Sequence, residues 1–337
     1  MGTMNLAEII DRSFDILRKY IKTIVIYTLG FGILGIIGLI LVILLVFLFG
    51  AMFSDVLDSL LINNSSDLSI YLFVALLGSF YFFIIAIFTS SYQVGIVRIT
   101  GQEFLDRRYY ADKAIKTAFK AVFKVFGIIF TGFVLFIPVF VLFFAMIYFL
   151  TPIIDELIMT STLTAGEIIL IIVLFLLALT AVLFIFTYVT FFAFSIPALT
   201  IEKTGVIQSI KRSFYLVKDK FWRLLGIIVL FGLIVYAINL SLQSLIGLIT
   251  GICYLLMKLI NIEIDYLSFV TTVYNYTNWP LILINWFVIT PISSIMITLL
   301  YFNRRFEKEG YDIMLKLIHL EKKEEREQSI DSSTTTV

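Results

Sequence analysis

VIQSIKRSFYLVKDKFWRLL, residues 206–225, is a basic amphipathic segment that feeds directly into an apolar run. Ile207, Ile210, Phe214, Val217 and Phe221 recur at intervals of 3, 4, 3 and 4, which places them on one helical stripe. Lys211, Arg212, Lys218 and Asp219 fall off that stripe. Such a helix lies in a membrane interface, with its apolar side in acyl chains and its cations at the headgroups. The same pattern opens the chain. Ala7, Ile10, Phe14, Leu17 and Ile21 match it at an offset of 200, and Arg12-Ser13-Phe14 repeats Arg212-Ser213-Phe214. A third copy holds Ile115, Phe119, Val122 and Phe126, 105 residues after the first, among Lys113, Lys116, Lys120 and Lys124. The pattern predicts three tandem units, each an interfacial helix followed by two spans, at about 6–110, 111–205 and 206–310. Phe14, Phe119 and Phe214 should then be buried in equivalent environments.

Composition sets the class. Residues are 61% hydrophobic and 15% charged, and mean hydropathy is +1.04. A soluble domain sits near half apolar and a quarter charged, so this is an all-α polytopic membrane protein. Six apolar runs reach the ~20 residues needed to cross hydrocarbon: 24–49, 70–97, 125–150, 168–198, 224–245 and 280–302. None contains Asp, Glu, Lys, Arg or His. The fifth run continues to Met257, and Gly247 and Gly251 suggest a break there into an outer-surface helix. Cys253 and His319 are the sole Cys and His, which excludes an internal disulfide and His- or Cys-cluster metal sites. No metal or cofactor is expected. No cleavable signal is evident, and the first span serves as its own anchor.

Charge placement gives orientation. Residues 1–23, 98–124, 201–223 and 303–337 hold 24 of the 25 Lys and Arg, whereas the alternate loops hold 8 of the 24 acids. The positive-inside bias therefore predicts a multi-pass cell-membrane protein with both termini cytoplasmic. One membrane domain over 1–328 is expected, with a fourth amphipathic helix at 311–327 and a disordered Ser/Thr-rich tail at 329–337.

The basic ring nominates Arg12, Lys19, Arg107, Arg108, Lys116, Lys120, Lys211, Arg212, Lys218, Arg304 and Arg305 as contacts for anionic lipid headgroups. Nucleic acid is the competing polyanion. The basic helices join membrane spans within a turn, which makes lipid the nearer partner. Within the spans, Asn239, Gln243 and Asn285 are the polar candidates, either hydrogen-bonding between helices or lining a small cavity. Gly30-x-Gly32-x-x-Gly35 matches a dinucleotide fingerprint, but it follows no strand and sits inside a span, so close helix approach is its expected role. Pro138, Pro197 and Pro291 are candidate kinks. Glu202-Lys203-Thr204-Gly205 and Glu307-Lys308-Glu309-Gly310 share an exit pattern in which Gly is expected to supply a left-handed turn. Asn63, Asn64 and Asn275 begin glycosylation tripeptides on the side expected to be external.

Ser209-Ile210-Lys211-Arg212-Ser213-Phe214, Leu216-Val217-Lys218 and Phe221-Trp222, followed by Tyr301, Arg304-Arg305 and Lys308-Glu309-Gly310-Tyr311-Asp312, resemble one known family. It is the six-span membrane domain found ahead of the catalytic barrel in some glycerophosphodiester phosphodiesterases, and found alone in other bacterial and archaeal proteins. The resemblance covers most of the chain and implies a six-span fold. The barrel's paired acids, histidines and metal ligands have no counterpart, so no phosphodiesterase residue carries over. Glu202 and Asp312 are the acids nearest the membrane for catalysis, and helix-end salt bridging accounts for both. The expected function is non-catalytic: engaging lipids, or recruiting a protein partner, through a basic cytoplasmic ring. The alternative is a transporter or channel for an uncharged or amphipathic molecule. An ion-coupled mechanism would want an ionisable residue in mid-membrane.

Overall fold

Apolar stripes and apolar runs fuse into long helices because, in hydrocarbon, a backbone hydrogen bond has no replacement partner. A computed structural model describes residues 4–52, 67–105, 109–160, 165–260, 265–311, 313–315, 317 and 320. The helices are α1 (Leu6–Met52), α2 (Asp67–Gly101), α3 (Ala111–Thr160), α4 (Ala165–Phe192), α5 (Ser195–Ile201), α6 (Val206–Val217), α7 (Phe221–Leu259), α8 (Tyr266–Ile284) and α9 (Thr290–Glu309). A 3₁₀ turn at Lys218–Lys220 joins α6 to α7, and a π turn at Asn285–Ile289 joins α8 to α9. Six stretches are long and apolar enough to cross a membrane: Leu6–Leu41, Gly78–Gly101, Ala111–Pro152, Ile168–Ile201, Val206–Leu259 and Tyr266–Glu309. No strand occurs among the described residues.

The three striped segments join the apolar stretches differently. In α1 the helix is interrupted at Tyr20 (φ −109°, ψ 16°), at the boundary between stripe and span. The segment 206–217 is set off by its 3₁₀ turn, whereas 111–160 runs through as one helix. Pro197 and Pro291 fall in the first turns of α5 and α9. Each stands just after a local interruption of a long apolar stretch, the turn at 193–194 and the π turn at Asn285–Ile289, where kinks are expected. The expected break at Gly247 and Gly251 is absent, and α7 continues through both for 39 residues. The exit turns also differ from expectation. Gly310 is left-handed (φ 61°), but at the earlier exit that conformation belongs to Lys203 (φ 55°), and Gly205 is extended at the start of α6.

Burial is concentrated at the end of the bundle that carries the cations. α9 is its centre: 14 of its 20 residues are buried, including Ile295, Leu299, Tyr301 and Phe302. The last turns of α2, then α5 and α9, meet one another there, and α1 and α6 pack outside them. Between spans, lipid is as apolar as leucine, so close packing rather than water exclusion favours association. Gly95 shows this: a Cβ there would stand 2.1 Å from the Tyr27 ring. Tyr27 donates to the Tyr92 carbonyl (2.8 Å), and the Tyr92 hydroxyl meets Thr28 Oγ1 at 2.9 Å. Away from this end the described apolar side chains of α3 and α4 are mostly exposed, and Leu174 is the one described residue of α4 before Thr190 that is buried.

Candidate headgroup site at the basic end

The stripes define which part of each helix meets protein. Ser13, Ala118 and Ser213 are each 0% exposed, and Ile9, Ala114 and Ser209 are also buried. The phenylalanines one residue later sit on the flank, with Phe14, Phe119 and Phe214 exposed by 45%, 42% and 39%. Their exposure is similar, but they are not buried as expected. Small residues take the centre because a helix crossing close to its neighbour leaves no room for a ring. Phe119 stacks toward Phe31 of α1 (5.4 Å), and Phe214 lies on Phe191 of α4 (4.5 Å). Ser213 Oγ donates to the Phe191 carbonyl and accepts from the Phe194 N–H at 3.2 Å, which fixes the joint between α4 and α5.

The cations divide into two sets. Arg212 bridges Glu202 (3.0 Å) and Glu309 (2.6 Å), and Arg305 approaches the same two acids at 3.6 and 3.0 Å. Tyr301 adds a hydrogen bond to Glu202 (2.6 Å), and the Arg305 guanidinium lies 3.7 Å from the Tyr311 ring centre. Two guanidiniums and two carboxylates thus close a neutral box between α5, α6 and α9. Beside it, Arg304 is 3% exposed and donates through Nε (3.2 Å) and Nη2 (3.0 Å) to the Leu216 carbonyl. That carbonyl sits where the 3₁₀ turn interrupts the helix, so the guanidinium acts as a cap. Arg304 also pairs with Glu307, which holds Lys220 at 3.0 Å and Arg223 at 3.6 Å. Lys308 pairs with Asp219. Arg212, Arg304 and Arg305, named above as headgroup candidates, are therefore bound to protein acids or carbonyls. Their charge is neutralised internally.

Lys19 belongs partly to this paired set. It meets Glu103 at 2.5 Å, and Tyr20 donates to the same oxygen. Burial pushes the Glu103 carboxyl up, but hydrogen bonds from Lys19 and Tyr20 outweigh it and hold the group below its ordinary range. Arg12 lies over the Phe104 ring at 5.2 Å. In contrast, Lys113, Lys116, Lys120 and Lys124 are exposed along α3, and none is paired with a carboxylate among the described residues. Lys211 is exposed too, and Lys218 is exposed with its ammonium 6.0 Å from the Tyr215 ring centre. Arg107, Arg108, the tripeptides at Asn63 and Asn64, Asp312, most of 311–327 and the tail at 329–337 lie outside the described residues.

The intramembrane amides satisfy themselves locally. Asn239 donates to the Val235 carbonyl (3.1 Å) and Asn285 to the Leu281 carbonyl (3.2 Å), each four residues back in its own helix. This replaces the bonding between helices expected of them. Gln243 lines a cavity of about 150 Å³ between α7 and α8, with Thr250, Tyr274 and Thr277.

Comparison of the chain with family models, curated proteins and solved structures found no match. Function is therefore argued from the site alone. The sequence pattern placed the lysines of α3 on a basic segment, and they are exposed there, but it gave no signal for Asn303. Its side chain accepts from the Met4 N–H (2.7 Å) and donates to the Met4 carbonyl (3.0 Å), tying the two ends of the described chain together. Only the tertiary fold brings these residues into contact.

Proposed function

We propose that this chain is a non-catalytic membrane protein that engages anionic lipid on the cytoplasmic leaflet through the basic face opening α3. One observation carries the reading. Lys113, Lys116, Lys120 and Lys124 stand exposed without carboxylate partners among the described residues, while the arginines of α6 and α9 are internally neutralised. Beside the lysines, Phe119, Phe123 and Phe126 offer exposed apolar surface on the same helix. Cations next to exposed rings match the depth profile of a headgroup layer above acyl chains. The positive-inside bias then puts the basic end and both termini in the cytoplasm.

The architecture belongs to the same proposal. Three units of one interfacial helix and two spans, arranged with pseudo-threefold symmetry, explain why positions 105 and 200 apart share burial: Ser13, Ala118 and Ser213 inward, Phe14, Phe119 and Phe214 on the flank. Contact among the last turns of α2, α5 and α9 supports it, since these end the second spans of the three units. The acids nearest the membrane, Glu202 and Glu309, are held by arginines, which favours a structural role over acid–base work.

The test uses lipid retention. Purified protein in mixed phosphatidylglycerol and phosphatidylcholine nanodiscs is transferred to native mass spectrometry. Changing Lys113, Lys116, Lys120 and Lys124 together to Gln should remove most of the phosphatidylglycerol preference, given about 1 kcal/mol per interfacial cation. Lys211→Gln should remove less. An unchanged preference in the fourfold variant would refute the reading. Metal-dependent release of glycerol phosphate from glycerophosphodiesters, surviving repurification, would refute its non-catalytic part.

A further inference from the structure

A groove of about 500 Å³ opens between α1, α2 and the start of α3, within the ~300–1,000 Å³ usual for small-ligand sites. Its walls are almost entirely apolar, and three glycines of α1 shape it. A Cβ at Gly32 would stand 2.7 Å from the Trp286 ring, and one at Gly35 would stand 2.0 Å from Phe88. These two rings therefore lie directly on the backbone of α1 and form the floor. At Gly38 a Cβ would meet nothing within 4 Å among the described residues, so the groove has room there. Trp286 comes from the π turn at Asn285–Ile289, an insertion that alters the register of the sixth span where it faces α1. Such turns recur at functional sites.

Two further features give the groove polarity along its length. Ser91 lines it, is 1% exposed, and its hydroxyl has no hydrogen-bond partner among the described residues. A buried hydroxyl left without a partner needs an explanation, and here an acceptor from a ligand provides one. At the basic end the groove is lined by Phe119 and Val122 of α3, and Lys116 lies one turn before Phe119, exposed and unpaired among the described residues. Cation, hydroxyl donor and apolar trough thus follow in the order of phosphate, ester carbonyl and acyl chain.

We infer that this groove holds one acyl chain of an anionic phospholipid, whose phosphate rests at Lys116 and whose ester carbonyl accepts from Ser91. The inference rests on the headgroup reading above and adds a defined seat to it. The exposed lysines alone would be served by any passing lipid. A trough floored by Phe88 and Trp286 selects one molecule and retains it.

The experiment places the full chain in nanodiscs containing phosphatidylglycerol with a diazirine in its acyl chain, or the matched phosphatidylcholine. After irradiation the labelled peptides are mapped. Phosphatidylglycerol should label 31–39 and 81–91 above the other spans, and phosphatidylcholine should label them roughly fivefold less. Gly38→Phe puts a ring into the trough from a position where a Cβ meets nothing within 4 Å among the described residues, and should cut that labelling by a similar factor, while the overall phosphatidylglycerol preference persists. Ser91→Ala should lower it without disturbing the helices. Even labelling of all six spans, with the lysine-dependent preference intact, overturns the groove and leaves the headgroup reading standing. Equal labelling by both lipids overturns the anionic occupant, and loss of the lysine effect in the retention assay then condemns the headgroup reading as well.

Discussion

Arg304→Met is the sharpest perturbation of the basic end. Methionine keeps the length of the stem but removes the guanidinium, so the Leu216 carbonyl loses donors at 3.2 and 3.0 Å and Glu307 loses its buried partner. Breaking a buried ion pair from one side costs ~3–5 kcal/mol. Glu307 still keeps Lys220 at 3.0 Å and Arg223 at 3.6 Å, both on exposed side chains, so the lower part of that range applies. The freed carbonyl at the 3₁₀ turn adds to the loss and keeps the total near ~3 kcal/mol. Arg304→Lys retains charge but presents no fork, and should cost ~1–2 kcal/mol. Reversible unfolding in mixed micelles, titrated with SDS and followed by circular dichroism, gives the differences. Lys211→Met, on an exposed residue, is the control and should fall within ~0.5 kcal/mol of wild type. Were Arg304→Met to match that control, the guanidinium would not be what closes the end of α6. A double-mutant cycle with Glu307→Gln should return a coupling well above that of Lys220 with Glu307.

Three further outcomes are expected. In a Cys253→Ser background, cysteines replacing Ser59, Ser161 and Ser268 should react with an impermeant thiol reagent in intact cells, and those replacing Gln102, Thr204 and Ser329 should react only after lysis; the reverse pattern would invert the orientation. Gly95→Ala, whose Cβ would enter the buried Tyr27 ring, should cost ~1–3 kcal/mol in the SDS titration, whereas Gly38→Ala should be near neutral; equal effects would deny the close approach. Because the folded Glu103 carboxyl titrates below its ordinary value of 4.5, its contribution is present above that pH and lost as pH falls through the folded pKa. The stability gap between wild type and Glu103→Gln should thus be full at neutral pH and close in the acid range below 4.5. A gap that widens on acidification would contradict the assignment.

The six apolar stretches and the alternation of basic and acidic segments were legible because length and charge are linear properties of a chain. The packed face was not. Hydrophobic periodicity found the stripe of Phe14, Phe119 and Phe214, but lipid and protein both accept apolar side chains, so apolarity cannot say which edge of a stripe meets which. The small residues Ser13, Ala118 and Ser213 mark the protein side, and smallness carries no hydropathy signal. Similarly, Glu307 and Glu309 lie three and four residues beyond Arg304 and Arg305, a spacing open to inspection. Glu202 lies about a hundred residues earlier, and its role in the box depends on α5 meeting α9. The glycines of α7 misled because a helix in hydrocarbon cannot trade its hydrogen bonds for water, so a weak helix former does not end it.

The uneven distribution of burial has a mechanical consequence. α3 runs 50 residues without interruption, and its apolar stretch at 125–150 would measure about 39 Å, against ~30 Å of hydrocarbon. Such a helix must lean, or the bilayer must thicken around it. Because the six long apolar stretches meet at one end through arginines and packed rings, and most described apolar residues farther along α3 and α4 face outward, leaning becomes a rotation about a fixed pivot. Thicker membranes would stand the long arms upright and thinner ones would spread them, with the ion-paired hub unchanged. The fold can thus meet bilayers of different thickness by changing the angle of its arms instead of the packing of its core.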